Sequence, residues 1–293
     1  AVPTAAEKIA NAAGLGAVAF GRKSDGTRGT LVQRLDTAGG DATDFATIAL
    51  KAGFNSLGNI YPTLADWDFS EPATVTLVNG LISAIDDISG NGVHLSQPDS
   101  AKRPSVTAIG FGAAALIDGV DDFLRALSLP SGWNASSGAI IAVIDPADTT
   151  TPADWLAGVG ASATVYSGFG FHGNLAQRPE WFIFEPGHQQ KIVDAVQGVG
   201  AHVLAILQTG GSMSFYVNGV VVASTATVGA PDARWHQTVN PTAVCLGHNG
   251  LAAFSSITNA FNGKIGQLAF FAAGVVASNI VDATTLLRDK WGV

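Results

Sequence analysis

The sequence predicts a mainly β protein, a sandwich or jelly roll with a small α-containing segment ahead of it and one helix at its end. Three observations carry this. From Thr74 onward, short apolar or alternating runs follow one another with turn residues between them. The stretch SMSFYVNGVVVAST, residues 212–225, is a hairpin signature, because Asn218-Gly219 suits a two-residue type I′ turn in which both positions need positive φ. The closing ASNIVDATTLLRDKWGV holds a single helical stripe.

Residues 1–56 differ from the rest. Thr4-Ala5-Ala6-Glu7 fits a capping box, and Gly14 suits the end of the short helix it would open. A second helix is expected at about Thr43–Ala52, where Phe45, Ile48, Ala49 and Ala52 share one face and Gly53 stops it. Between them, Gly21–Asp36 reads as a short strand or hairpin. Such small helices bury little area alone, so this segment is expected to pack on a partner or on another copy of itself. Pro62 to about Asp68 reads as a linker, which divides the chain into 1–65 and 66–293.

Strands are expected at 74–78, 80–85, 106–111, 123–127, 138–144, 163–171, 181–184, 190–196, 202–207, 213–224, 243–247 and 264–272. A two-residue hairpin loop pairs Val217 with Val220 and Phe215 with Val222, so Met213, Phe215, Val217, Val220 and Val222 share an apolar face. At the end, Ser278 can cap a helix whose Ile280, Thr284, Leu287 and Trp291 fall on one stripe. That helix is expected to plug an edge or end of the sandwich.

Composition narrows the function. Hydrophobic residues make up 47 % and charged residues 13 %, which supports a sizeable core and excludes wholesale disorder. The net charge is −8, and the densest basic group, Arg22–Lys23–Arg28, is small. Nucleic acid and anionic membrane surfaces are therefore disfavoured partners. Cys245 is the only cysteine, so no intrachain disulfide forms. Glu7 and Lys8 stand where a secretory leader would be apolar, and the run Leu268–Ala277 is about half of the roughly 20 residues a spanning helix needs. A soluble protein without membrane insertion is expected.

The polar stretch DDISGNGVHLSQPDSAKRPSV, residues 86–106, raises the question of a catalytic or metal-binding loop around His94. Gly90 and Gly92 can supply positive φ, and Pro104 holds Arg103 extended, which makes it a strand connection. With LIDGVDDFLRA after it, then SFYVNGVVV, LGHNG and FNGKIGQLAFF before a helix ending KWG, it resembles the concanavalin A-like (laminin-G-like) jelly-roll domain of phage or phage-like virion structural proteins. The lead-in DWDFSEPATVT to LVNGLISAIDD is similar to theirs but more divergent, so the resemblance covers about 66–293. It implies a concanavalin A-like jelly-roll sandwich, and it assigns His94 a capping or packing role.

Chemical constellations are sparse. Jelly rolls of this class include glycoside hydrolases, which need two carboxyl groups at a set separation. The glutamates are Glu7, Glu71, Glu180 and Glu185; the last two flank WFIF at an odd offset and so fall on opposite faces of a strand. No catalytic pair emerges, and an enzyme is not expected. Asp118, Asp121 and Asp122 form the tightest acidic cluster, a candidate Ca²⁺ site, but an Asp-rich turn is the preferred reading, so no metal or other cofactor is expected. The histidines 94, 172, 188, 202, 236 and 248 show no zinc-binding spacing, and Cys245 reads as a buried hydrophobe. GFGFHG at 168–173 lacks the following helix of a phosphate loop.

Aromatic rings remain, since sugars stack on them beside polar neighbours that read hydroxyls. Trp133, Trp155, Trp181, Trp235 and Tyr166 lie in or beside strand connections; Trp181 alternates with Ile183 and reads as core. Trp133 with Asn134 and Trp235 with His236 are the candidate glycan contacts. The leading expectation is a virion fibre, spike or decoration protein, assembled in the host cytoplasm. Residues 1–65 would join it to other virion proteins or to further copies in a homo-oligomer, and its jelly roll would face host glycans. A glycan-degrading jelly-roll enzyme and a purely structural capsid or tail component are the alternatives.

Overall fold

The computed structural model describes residues 20–22, 28–30, 57, 61, 63–147, 154–162, 165–172, 178–184, 189–194, 200–231, 235, 239–248 and 260–293. The chain divides into two compact units, Ala1–Tyr61 and Pro62–Val293. In the first, β1 (Phe20–Arg22) pairs antiparallel with β2 (Arg28–Thr30), which is the hairpin expected around Gly21–Asp36. The two helices expected in this unit lie outside the described residues.

In chain order, the second unit holds β3 (Thr63–Asp68), β4 (Val75–Val78), β5 (Leu81–Ile85), β6 (Leu95–Ser96), β7 (Ser105–Ile109), β8 (Gly112–Asp118) and β9 (Leu124–Ala126). There follow β10 (Gly138–Pro146), β11 (Asp154–Ser162), β12 (Val165–His172), β13 (Arg178–Phe184), β14 (Gln189–Val193), β15 (His202–Thr209) and β16 (Ser212–Val217). The unit ends with β17 (Val220–Val222), β18 (Ser224–Val228), β19 (Ala243–Leu246), β20 (Asn262–Phe271) and the helix α1 (Ala277–Trp291). Every pairing between named strands is antiparallel, as expected for a jelly-roll sandwich.

These strands form one sheet bent into two layers. The first layer runs β17-β16-β15-β10-β20; β20 then shares its far edge between β3 and β8, and β7, β5 and β4 continue it. The second runs β18-β14-β13-β12-β11-β19-β9-β6. At one side, β6 also pairs with β5, Ala84 opposite Ser96. At the other, only Ala223 separates β17 in the first layer from β18 in the second. The bend therefore leaves few open edges, which protects the sheet from edge-to-edge association.

Alternation places the core between the layers. Ile140, Ala142, Ile144, Leu204, Ile206, Leu268 and Phe270 point in from the first; Val159, Phe169, Trp181, Ile183, Val244 and Leu246 point in from the second. The 212–225 hairpin has the expected register, with Val217 opposite Val220 and Phe215 opposite Val222, and both Asn218 (φ 51°) and Gly219 (φ 82°) are left-handed. Val220 at its tip is exposed rather than part of the apolar face.

Three expectations are corrected: the linker, the place of the helix and its cap. The linker expected over 62–68 contains β3, so the boundary after residue 65 would cut a strand. Its polar look comes from alternation: Ala65 and Trp67 enter the core, while Asp66 and Asp68 face outward beneath α1. There Gln267 Nε2 donates to Asp66 Oδ1 (2.8 Å), Lys290 Nζ pairs with Asp68 Oδ2, and Ser70 Oγ donates to Asp68 Oδ1 (2.6 Å). All three residues on the sheet side are buried, so their polar groups need these partners.

The helix, expected at an edge or end, instead covers the outer face of the first layer. The stripe itself is as expected: Ile280, Thr284, Leu287 and Trp291 are buried, with Trp291 lying over Gly112 and Gly266. Ser278 is not its cap. The helix begins at Ala277, and Asn279 Oδ1 accepts from the Val276 amide (3.0 Å). No helix among the described residues is long and apolar enough to cross a membrane.

Candidate functional site

The loop at 86–96 is a structural knot. Asp87 is buried and accepts from the amides of Asp66 (3.0 Å), Ser89 (2.9 Å) and Val93 (3.1 Å), while Trp67 Nε1 donates to the Val93 carbonyl (2.7 Å). Gly90 and Gly92 take the left-handed backbone expected of them. His94 is half-exposed, with Nδ1 3.2 Å from the Asp87 amide nitrogen and 3.0 Å from Asp86 Oδ1. Arg103 donates from Nε and Nη2 to the carbonyls of Gln97 and Pro98, both at 2.8 Å. The Asp66–Asp87 and Trp67–Val93 bonds fasten the loop to β3, while His94 and Arg103 bond within the connection.

The acidic cluster is a turn. Asp118 Oδ1 accepts from the amides of Val120 (2.8 Å) and Asp121 (3.2 Å), as Asp does in a local turn. The carboxylates of Asp118, Asp121 and Asp122 nevertheless have oxygens within 4.8 Å of one another, near enough to share a hard cation. Burial, with the charges of Asp118 and Asp121, raises the Asp122 pKa to about 6. Because the local amides already serve Asp118, melting with EDTA and with excess Ca²⁺ is expected to give the same midpoint. A rise of several degrees with Ca²⁺ would show a ligand bound to the native state.

The glycan candidates inferred from sequence do not come together as a site. Trp133 and Trp235 are each 1 % exposed. Trp235 stacks on Trp181 with ring centroids 4.7 Å apart, and Trp133 packs on Phe270 at 5.0 Å. Both rings are core, and neither offers a free face to a sugar. Asn134 is exposed, and His236 lies outside the described residues.

A different group of side chains faces outward from the second layer, opposite to the helix-covered side. Alternation in RPEWFIF sends Trp181 and Ile183 into the core and Arg178, Glu180 and Phe182 out. Across the sheet Phe182 stands opposite Gln190 and Gly168, and Glu180 opposite Ile192 and Gly170. Gly168 is required here because a Cβ on it would meet the Trp155 ring at 2.7 Å. Trp155 thus lies flat on the sheet, 5.4 Å from Phe182, and Tyr166 adds a third ring 6.3 Å from Phe182. Tyr166, Phe182, Gln190 and Arg178 are half-buried, a shallow aromatic surface edged by polar groups.

Glu180 lies beneath this surface at 2 % exposure, and burial raises its pKa to about 7, against a smaller lowering by Gln190. Gln190 Nε2 donates to Glu180 Oε2 (2.8 Å), and Thr227 Oγ1 donates to Gln190 Oε1 (2.8 Å). The same-face neighbours Arg178, Phe182, Ile192 and Gly170 include no second carboxylate. In the sequence Tyr166 and Trp155 read only as aromatics beside strand connections, and Glu180 only as half of a pair with Glu185. The usable signal was the alternation of RPEWFIF extended back to Arg178.

The Glu180 carboxyl also makes stability depend on pH. Its folded pKa lies above the unfolded value, so folding takes up a proton between about pH 4.5 and 7. The contribution of the protonated acid is complete below pH 4.5 and lost above 7, a change of about 3 kcal/mol. Glu180→Gln is expected to remove this term, so urea titrations of the two proteins should diverge as pH rises from 5 to 8, the variant being the more stable at pH 8. Parallel curves would show that the carboxyl is solvated.

No family model and no curated protein sequence matches the chain. Among solved structures, the chain is similar to domain 4 of the extracellular GH43 arabinanase AbnA from Geobacillus stearothermophilus, in complex with arabinotriose. The TM-score is 0.53 and the identity 18 %, over 76 % of this chain and 98 % of that one. It is also similar to the Trypanosoma rangeli sialidase in complex with the inhibitor DANA, with TM-score 0.51 and 11 % identity, over 76 % of this chain and 32 % of the sialidase. The chain thus spans about a third of the sialidase. At these identities the likeness is one of fold, the jelly-roll sandwich.

Proposed function

We propose that the jelly roll binds glycans on the outer face of its second layer, as the lectin-like domain of a virion structural protein. The observation that carries glycan binding is the row of half-buried rings, Tyr166 and Phe182 over Trp155, with Gln190 opposite Phe182 and Arg178 farther along the same strand face. Rings at the surface take the C–H face of a sugar, and polar groups on the same face, Gln190 first, read its hydroxyls. That the arabinanase domain of the same fold was solved with arabinotriose supports the ligand class. The virion role rests on the ordered motifs from 86 to 293, and in it the unit up to Tyr61 joins the domain to other virion proteins or to further copies.

A hydrolase is the second reading, favoured by one observation: a buried glutamate with a pKa of about 7 is suited to act as a general acid. The missing second carboxylate among its described same-face neighbours weighs against it. A glycan array with the full chain tests both. Binding is expected to a defined glycan set and to be lost in Tyr166→Ala, with the melting midpoint kept within a few degrees. No binding to any glycan would leave the structural-component reading. Release of reducing sugar that stops in Glu180→Gln would establish the enzyme instead.

A further inference from the structure

The outer face of the second layer leaves two hydrogen-bond donors without acceptors. Arg178, outward in β13, is half-buried with its Nε buried, and among the described residues it has no hydrogen-bond or ion-pair partner. Asp194, exposed just past the end of β14, does not pair with it. Glu180, two residues along on the same face, does not either. Its carboxyl accepts from Gln190, and its pKa is raised, where a guanidinium close by would lower it. The second donor is Trp155 Nε1. That ring lies on Gly168 at 4 % exposure, and its N–H has no partner among the described residues.

An arginine fork donates only and keeps its charge, so a half-buried one lacking an acceptor leaves a desolvation cost unmet. Glu180 does not offset that charge at pH 6, because burial has raised its pKa to about 7 and leaves it mostly protonated. Lys191 of β14 points the other way, with Nζ donating to the Met213 carbonyl (2.8 Å). Among the described outward side chains of β12, β13 and β14, the Arg178 guanidinium is then the one charge. The face therefore calls for acceptors, and for a negative one at Arg178.

We infer that the glycan bound on this face is acidic, with a carboxylate or sulfate taken by the Arg178 guanidinium while another of its sugars stacks on Tyr166 and Phe182. This rests on the glycan reading above and adds the charge and the length of the ligand. The planar fork takes two oxygens of such an anion side by side, which a lone ammonium does not. Arg178 and Phe182 are four residues apart on one strand face. That is about 13 Å at roughly 3.3 Å per residue, so the ligand is a short oligosaccharide rather than a single sugar.

A glycan array probed with the full chain at pH 6 tests it, each acidic oligosaccharide being printed beside its neutral counterpart, carboxyl-reduced or desulfated. The parent is expected to bind the acidic member of a pair about tenfold or more tightly than the neutral one. Whether carboxyl reduction or desulfation removes the signal tells which anion is taken. Arg178→Gln should abolish the preference while the melting midpoint stays within a few degrees; were that variant unfolded, the paired comparison on the parent decides alone. Tyr166→Ala should lose acidic and neutral binding alike. Equal binding of paired glycans by the parent, or a preference kept in folded Arg178→Gln, would overturn this inference and leave the glycan reading standing. No signal from any glycan would overturn both.

Discussion

Trp235→Ala is expected to destabilise the jelly roll by about 3–5 kcal/mol, and Trp133→Ala by a similar amount. Each ring is almost fully buried, and each removal opens a cavity where a large partner ring has nothing to close onto: Trp181 at 4.7 Å in one case, Phe270 at 5.0 Å in the other. Against a total of about 5–15 kcal/mol, such a loss is a large fraction of the stability. The melting midpoint should fall by on the order of 10 °C for a unit of this size. Urea denaturation of each variant measures the change directly. A midpoint within a degree or two of the parent would show the rings to be dispensable and would return them to the surface.

Lys290→Met is expected to cost about 3–5 kcal/mol, because it strands the Asp68 carboxylate. That carboxylate is buried under α1; Ser70 serves one oxygen, and Lys290 is the cation at the other. The double variant Asp68→Asn with Lys290→Met should recover much of the loss, since a neutral amide does not need a counter-ion while it can still accept from Ser70. A thermal double-mutant cycle reads the coupling. Additive single effects would mean that the pair is solvated and that the helix is held by Trp291 and its apolar neighbours alone.

Much of the fold was legible because period-2 alternation and turn chemistry are local. The Asn218-Gly219 turn fixed its hairpin to the residue. The same signature at Asn79-Gly80, with φ 55° and 80°, joins β4 to β5 with Val78 opposite Leu81. What was missed is specific. The runs GAAALID of β8 and DWLAGVGAS of β11 are rich in alanine and glycine, which have low strand propensity, and they are strands because neighbours on both sides pair with them. Two aspartates made β3 look like a linker, because their partners Gln267 and Lys290 lie some 200 residues away in sequence. The site was harder still. Trp133 and Trp235 stand among polar residues in the sequence, and nothing local says that their rings enter the core. The rings that do face outward, Tyr166 and Phe182, are brought together only by the β12–β13 register.

The pairing of β3 with β20 bears on how the domain comes to be folded. Trp67 lies opposite Leu268, so the central part of the first layer joins segments separated by nearly the whole unit. β10 lies against β20 on its other edge, and α1 seals the same face only afterwards in the chain. Emerging from the ribosome, the chain must carry β3 unpaired, and β10 with one edge open beside β15, until β20 has been made. Such high contact order makes for slow closure and for a long interval in which sticky strands are exposed. During that interval the local hairpins, β4–β5, β7–β8 and β16–β17, can form alone. Chaperone dependence during synthesis, and a refolding rate in about the millisecond-to-second range or slower, are the expected consequences of this threading.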